Sequence, residues 1–176
     1  MIIRRATPSD FLSIAALDRE AWRDNRHAEF IPDGEHVWRV WCEHTLVFCA
    51  CEPENSAASR APRKSGPPPT SSVVGAVLAF PCLNGQYCLH KIFVAREHRG
   101  RGLGSRLIEA LITGLDTMGV DVFLTVDPAN DAAVGLYERW GFTERRVAAG
   151  YYREHEDRFI LGRRHSGLPG NAGSAR

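Results

Sequence analysis

Three glycines separate a short apolar run from a long amphipathic segment in the middle of this chain. Residues 99–104 read Arg-Gly-Arg-Gly-Leu-Gly, residues 88–94 before them are mostly apolar, and residues 103–118 place their apolar side chains on one helical stripe. The pattern predicts a strand, a glycine turn and a helix N-terminus. Backbone N–H groups at such a terminus bind anions, and glycine lets a ligand approach closely. We therefore expect a phosphate-bearing ligand here.

Spacing distinguishes between the known kinds of phosphate loop. A P-loop ends in Gly-Lys-Ser/Thr, whereas Gly104 is followed by Ser105 and Arg106, which excludes it. A dinucleotide fingerprint that starts at Gly100 would need a glycine at position 105, although Asp121 lies near the expected acidic position. A nucleotide-dependent oxidoreductase is therefore disfavoured. A plain glycine turn before a helix remains the alternative for this loop taken alone.

A second motif follows about 30 residues later. Residues 130–137 read Asn-Asp-Ala-Ala-Val-Gly-Leu-Tyr, directly after a strand-like run at 122–126. Asn130 is a typical helix cap, which would place Tyr137 on the packed face of the helix. The ordered pair of R-x-x-G-x-G at 99–104 and N-x-x-A-x-x-L-Y at 130–137 resembles the GCN5-related N-acetyltransferase (GNAT) family. The resemblance extends over about residues 1–163.

The remaining hydrophobic periodicity predicts an α/β fold of the kind this family has. We expect a mixed, mostly antiparallel central sheet flanked by about four helices. The predicted strands are 2–6, 45–51, 73–80, 88–94, 122–126, 143–148 and 159–163, and the predicted helices begin near residues 11, 34, 103 and 130.

Length and composition predict one domain over residues 1–164. The chain has 176 residues, enough for one well-buried core and too few for two typical domains. Residues 52–72 contain five of the ten prolines and few apolar side chains, so we expect a disordered insertion between two strands, with a lid or partner-binding segment as the alternative. Residues 165–176 are small and polar, and we expect a flexible tail.

The charge and the cysteine content limit the kinds of partner and site that we expect. The net charge of +1 provides no global field for nucleic acid or anionic membranes, so we expect neither as a partner. Five cysteines without C-x-x-C spacing predict free thiols, and no metal site is expected. Without a signal peptide or an apolar membrane span, the sequence favours a cytoplasmic protein, either a monomer or a homodimer.

The resemblance implies acetyl-CoA as cosubstrate and direct transfer of its acetyl group to a primary amine in a ternary complex. It implies that one strand offers main-chain groups to pantetheine, that the glycine loop holds the pyrophosphate, and that the second motif contacts the cofactor. In this sequence those positions are Ile92, Phe93 and Val94; Arg99, Gly100, Arg101, Gly102, Leu103, Gly104 and Ser105; and Asn130 and Tyr137.

The candidate acid is Tyr137, because a phenol can donate a proton to a departing thiolate. The base is less well defined. In the ribosomal-protein branch of the family a glutamate lies five residues before the motif asparagine, and here that position is Thr125, which cannot act as a base near neutral pH. We take His90 as the candidate, because imidazole is the usual base near neutral pH. A water chain is the equal alternative, and Asp127 a weaker one.

The acceptor pocket of the family is lined by the segment between the first two helices and by the loop joining the last two strands. These correspond to Trp22 through Trp41 and to Gly150 through Asp157. Within them Trp22, Phe30, Trp38 and Trp41 could form an aromatic wall, with Glu29, Glu35 or Glu154 attracting a cationic amine. The acceptor is expected to be a small-molecule amine or a peptide or protein amine. A catalytically weak acyl-CoA-binding sensor or scaffold is the alternative function.

Overall fold

The computed structural model of the chain describes residues 1–23, 32–53 and 72–167. These residues form seven strands and four α-helices. The strands are β1 (Ile2–Arg5), β2 (Leu46–Cys51), β3 (Val73–Pro81), β4 (Tyr87–Val94), β5 (Val122–Val126), β6 (Glu144–Ala148) and β7 (Arg158–Arg163). The helices are α1 (Phe11–Arg23), α2 (Glu35–His44), α3 (Leu103–Met118) and α4 (Asp131–Arg139). The predicted insertion lies almost wholly outside the described residues.

The strands form one sheet in the order β1-β2-β3-β4-β5-β7-β6. The pairs β1–β2, β2–β3, β5–β7 and β6–β7 are antiparallel, whereas β4 and β5 are parallel. The predicted mixed, mostly antiparallel sheet with about four helices is therefore confirmed. No helix in the described ranges is both long and apolar enough to span a membrane.

Contacts along the chain group its residues into two compact units. The first comprises residues 1–80 and 91–111 and the second residues 81–90 and 112–176, so the division falls within β4 and within α3. In the first unit, side chains of α1 and α2 pack on one face of β2 and β3. Its fully buried residues include Ile14, Trp38, Val47 and Leu78. The Trp38 ring lies edge-on to Phe93, with centroids 5.8 Å apart.

The core of the second unit follows from strict alternation along β5. Val122, Leu124 and Val126 are buried, and Leu124 is paired with the fully buried Leu161 of β7. A strand with this period-two pattern places its remaining side chains on the opposite face. Thr125 lies on that opposite face.

Arg163 links β7 to the end of α3 in the second unit. Its guanidinium donates to both carboxylate oxygens of Asp116, at 2.7 and 2.8 Å. The same carboxylate accepts hydrogen bonds from the backbone N–H and hydroxyl of Ser166, at 3.0 and 2.7 Å. His165 donates its backbone N–H to Asp121. The tail predicted from residue 165 therefore begins with two residues that are hydrogen-bonded to the unit, and residues 168–176 lie outside the described part.

The ion pair of Asp116 is expected to contribute stability that is lost at low pH. The hydrogen bond from Arg163, and then those from Ser166, hold the pKa of Asp116 at about 2, below its ordinary value of 3.8. A lowered folded-state pKa stabilises the fold above about pH 4, and this stabilisation is lost as the pH falls towards 2. We expect Asp116→Asn to lower Tm by about 2–4 °C at pH 7. In thermal unfolding by circular dichroism the difference should shrink at pH 3, and a difference independent of pH would contradict this assignment.

Candidate functional site

The turn between β4 and α3 has the backbone geometry that its glycines predict. Gly100 and Gly102 both have φ of +72°, and α3 begins directly afterwards, with the N–H of Arg106 bonded to the carbonyl of Gly102 at 3.1 Å. A side chain at this φ costs about 1–2 kcal/mol. A Cβ added at Gly100, Gly102 or Gly104 would meet no atom within 4 Å. The turn is therefore an open backbone surface at the N-terminus of a 16-residue helix, a geometry that fits a phosphate ligand.

Arg99 fixes this turn to the end of β4. Its Nε donates to the carbonyl of Val94 at 2.9 Å. The Arg99 side chain is therefore held at the end of the strand. The partly buried ring of Phe93 packs against Trp38. Arg101 is exposed.

A cavity of about 220 Å³ lies beside the same turn in the first unit. It is bounded by the C-terminal half of α1 and by residues 94–99, so it includes two of the predicted cofactor-binding residues. The lining residues are Leu17, Glu20, Ala21, Arg23, Val94, Ala95, Arg96, Glu97 and Arg99. Three arginines against two glutamates give this cavity a cationic surplus, which suits an anionic ligand.

The second motif forms α4 as predicted. Asn130 caps the helix, with its Oδ1 accepting the N–H of Ala133 at 3.1 Å. The Tyr137 ring lies edge-to-face against Phe142, with centroids 5.7 Å apart. Burial raises the pKa of Tyr137 to about 12. The phenol is therefore protonated throughout the neutral and mildly alkaline range, and its proton is available for donation there.

The parallel ladder between β4 and β5 is short. It pairs Tyr87 with Val122 and Cys88 with Phe123. Two residues beyond Cys88 on the same face of β4 is His90, and two residues beyond Phe123 on the same face of β5 is Thr125. His90 is exposed. Burial raises the pKa of the Cys88 thiol to about 12, so this thiol is a poor nucleophile at neutral pH.

The expected acceptor segments are only partly described. Residues 24–31, which include Glu29 and Phe30, lie outside the described part. Trp38 is fully buried in the core of the first unit and does not line a surface, which corrects its assignment to an aromatic wall. Tyr151 and Tyr152, in the predicted loop before β7, are exposed.

A buried ion cluster around Lys91 was missed by sequence reasoning. The ammonium contacts both oxygens of Asp18, at 3.1 and 2.9 Å, pairs with Asp33, and lies 5.0 Å from the centre of the Trp22 ring. Asp18 also accepts the indole N–H of Trp38 at 3.0 Å. A signal was present: one lysine stands inside an apolar strand, in a chain whose other cations are almost all arginines.

The hydroxyl pair Thr125–Tyr152 was also not predicted. The two oxygens are 2.8 Å apart. Within the described ranges no group of three or more His, Cys, Asp or Glu side chains is placed to hold a metal ion.

Comparison with known proteins agrees with this geometry. The [ribosomal protein bS18]-alanine N-acetyltransferase of Salmonella typhimurium is 42% identical over 77 residues, which cover 42% of this chain and 52% of that protein. The N-alpha-acetyltransferase of Saccharolobus solfataricus is 32% identical over 74 residues, covering 41% of this chain and 44% of that protein. The chain thus spans about half the length of the curated relatives it matches.

Two further matches cover more of the chain. The crystal structure of the ribosomal-protein-S18-alanine N-acetyltransferase from Escherichia coli superimposes with a TM-score of 0.70 over 97% of each chain, at 23% identity, which shows a shared fold. The sequence profile of the Acetyltransferase (GNAT) family matches residues 14–142, which include both motifs and the strands and helices that present them. The chain belongs to the GNAT acetyltransferase family.

Proposed function

We propose that this chain is an acetyl-CoA-dependent N-acetyltransferase that transfers the acetyl group directly to a primary amine. The observation that carries the proposal is the glycine turn, where two residues with φ of +72° open the backbone at the N-terminus of α3. Family membership supplies the cosubstrate. The protein's single-domain organisation, its location in the cytoplasm and its oligomeric state stay predictions.

In this proposal the N–H groups from Arg99 to Ser105 hold the pyrophosphate of acetyl-CoA. Main-chain groups of Ile92, Phe93 and Val94 receive the pantetheine. Asn130, which caps the N-terminus of α4, and Tyr137 contact the cofactor. The cofactor supplies a thioester whose carbonyl carbon is open to attack.

Acetyl transfer requires that one proton is removed from the amine and that one proton is delivered to the departing thiolate. As the amine nitrogen forms its bond to the carbonyl carbon, His90 accepts the proton that the nitrogen loses. As the carbon–sulfur bond breaks, Tyr137 donates to the thiolate, and solvent then restores its proton. The products are the acetylated amine and free CoA.

The acceptor is proposed to be the amine of a peptide or protein, since one relative described above is named for a ribosomal protein and the other for N-alpha acetylation. A small-molecule amine is the alternative within the same reaction. Tyr151 and Tyr152 are exposed in the loop before β7, which supports an acceptor that binds at the surface of the second unit.

Isothermal titration of the full chain with acetyl-CoA tests the cofactor assignment. We expect saturable binding that weakens in Gly102→Ala, because the added side chain strains the turn at φ +72°. Gly34→Ala is the matched control, since that glycine lies far along the chain in extended backbone and has open space around it. Failure of the wild-type chain to bind acetyl-CoA would refute the proposal.

His90→Ala tests the proposed base. We expect the variant to lose about 10²-fold in kcat, because the attacking amine then has no side-chain acceptor for its proton. His44→Ala, an exposed histidine at the C-terminal end of α2 and outside the expected acceptor segments, serves as the control. An unchanged kcat would leave water as the base.

The second candidate is a CoA-binding sensor or scaffold with little activity. The observation that favours it is Thr125, a hydroxyl where one branch of the family has a carboxylate. Such a protein would bind acetyl-CoA and acetylate no amine, so an acceptor panel separates the two functions.

A further inference from the structure

A largely buried histidine, His98, lies directly before the glycine turn. It ends a short 3₁₀ turn, Arg96–His98, that connects β4 to residues 99–104. The imidazole side chain is only 12% exposed. Its Nδ1 is buried and has no hydrogen-bond partner among the described residues. The other ring nitrogen, Nε2, lies 3.7 Å from a carboxylate oxygen of Glu52 and 4.0 Å from one of Glu97. The ring therefore faces its polar neighbours through Nε2.

The two carboxylates near Nε2 differ in their surroundings. The side chain of Glu97 is 74% exposed and belongs to the same turn as His98. Glu52 is only 17% exposed and follows the last residue of β2. Its backbone N–H donates to the carbonyl of Ser72 at 3.0 Å, directly before β3. Since water and salt screen a shielded contact less than an exposed one, Glu52 is the partner that attaches His98 to the sheet.

The backbone around His98 shows why this attachment matters. The N–H of Ala95 donates to the carbonyl of Val74 at 2.8 Å, which fixes the beginning of the stretch to β3. The N–H of His98 bonds within its own turn, to the carbonyl of Ala95 at 2.9 Å. Gly100 and Gly102, both with φ of +72°, follow shortly, and glycine is the residue whose backbone is least restricted. The His98 side chain thus joins this stretch to another part of the fold just before its most adaptable residues.

We propose that His98, held by Glu52, positions the glycine turn and thereby sets the affinity for acetyl-CoA. This inference rests on the proposed function and adds a positioning residue that does not itself touch the cofactor. With the contact in place, the turn keeps the conformation that presents its N–H groups to the pyrophosphate. Without the contact, the turn adopts other conformations for part of the time, and the apparent Kd rises as the competent fraction falls. The bound complex is the same in both cases, so the rate of acetyl transfer is unaffected.

The inference gives a role to residues outside both sequence motifs. Glu52 and Ser72 lie at the two ends of the connection between β2 and β3, and the bond between them holds those ends together. The contact with His98 therefore links this connection to the cofactor turn. A change in the charge of Glu52 should alter cofactor affinity, although this residue lies far from residues 99–104 in the sequence.

The test measures Kd for acetyl-CoA by isothermal titration of the full chain, with kcat and KM for an acceptor amine that the wild type uses. The variants are His98→Asn, His98→Gln, Glu52→Gln and the double variant His98→Asn/Glu52→Gln. The side-chain amide of glutamine can place a donor near the position of Nε2, whereas that of asparagine lies nearer to Nδ1. His44→Asn and Glu43→Gln, both exposed at the end of α2, are the matched controls.

We expect His98→Asn and Glu52→Gln each to raise Kd for acetyl-CoA about fivefold, which corresponds to a turn that is competent about one fifth of the time. His98→Gln should bind acetyl-CoA with close to wild-type affinity, because it restores a donor near the Nε2 position. The double variant should bind no more weakly than the weaker single variant, because both changes remove one contact. The values of kcat and of KM for the acceptor should be unchanged throughout.

Four results would overturn the inference: an unchanged Kd in His98→Asn, equal losses in His98→Gln and His98→Asn, losses that multiply in the double variant, or a fall in kcat while Kd stays constant. Circular dichroism checks the folding of each variant. Glu52→Gln preserves the size of the side chain and supplies the result if a histidine variant fails to fold.

The binding measurement separates this inference from the proposed function. A wild-type chain that binds acetyl-CoA but acetylates no amine would refute the proposed enzyme, and the predicted changes in Kd would still decide the role of His98. A wild-type chain that binds no acetyl-CoA would refute both.

Discussion

Replacing Tyr137 by phenylalanine is expected to lower kcat about 10²-fold and to leave the affinity for acetyl-CoA nearly unchanged. General acids raise reaction rates by about 10²–10⁴-fold, and we expect the lower end of this range for Tyr137. Burial raises the pKa of Tyr137 to about 12, whereas a thiol titrates near about 8.5, so complete transfer to an ordinary thiolate is uphill by about 5 kcal/mol. We therefore expect a hydrogen bond to the departing sulfur to supply most of the effect.

Steady-state kinetics and titration calorimetry on the purified variant measure the two quantities separately. Phenylalanine preserves the ring contact with Phe142, so folding should be intact. With a pKa of about 12, Tyr137 also predicts no fall in the wild-type rate from loss of its proton up to pH 10. Undiminished turnover in Tyr137→Phe would exclude the phenol as the donor.

Replacing Lys91 by methionine is expected to cause the largest loss of stability, about 3–5 kcal/mol. The side chain of Asp18 is only 1% exposed and loses both of its contacts with the ammonium in this variant. A buried carboxylate without its cation is costly, even though the intact pair adds little beyond its own desolvation. Urea unfolding followed by fluorescence measures the change.

Two variants serve as references for Lys91→Met. Adding Asp18→Asn removes the buried charge and keeps an acceptor for the Trp38 indole, so the double variant should regain most of the lost stability. Arg39→Met breaks an exposed ion pair with Glu43 and should cost less than about 1 kcal/mol. If Lys91→Met were no more destabilising than Arg39→Met, the buried cluster would have no structural role.

Local signals explain why so much of the fold follows from sequence. The helix predicted at 103–118 and the strand predicted at 122–126 have the same bounds in the structure. Glycines flank the helix, and Gly119 and Pro128 lie on either side of the strand. Asn130 was recognised as a cap for the same reason, since a cap needs only the next three residues. The glycine turn could likewise be predicted from neighbouring residues alone.

The contacts that periodicity cannot reveal join residues far apart in the chain. Lys91 and Asp18 are 73 positions apart, and Thr125 and Tyr152 are 27 apart. Each pair forms only after helices, strands and loops have docked. The burial of Trp38 could not be predicted for the same reason. Its position in the pattern of α2 fits either a buried core residue or part of a surface wall, and only the packing against Phe93 shows that it belongs to the core.

The most direct test of the acetyltransferase assignment is mass spectrometry of an amine panel incubated with the full chain and acetyl-CoA. The panel includes peptides with free amino termini, lysine peptides and small polyamines. Acetylated product with release of one CoA per acetyl group, reduced in Tyr137→Phe, is the predicted result. Binding of acetyl-CoA with no acetylated amine in any fraction would contradict the account and favour the scaffold.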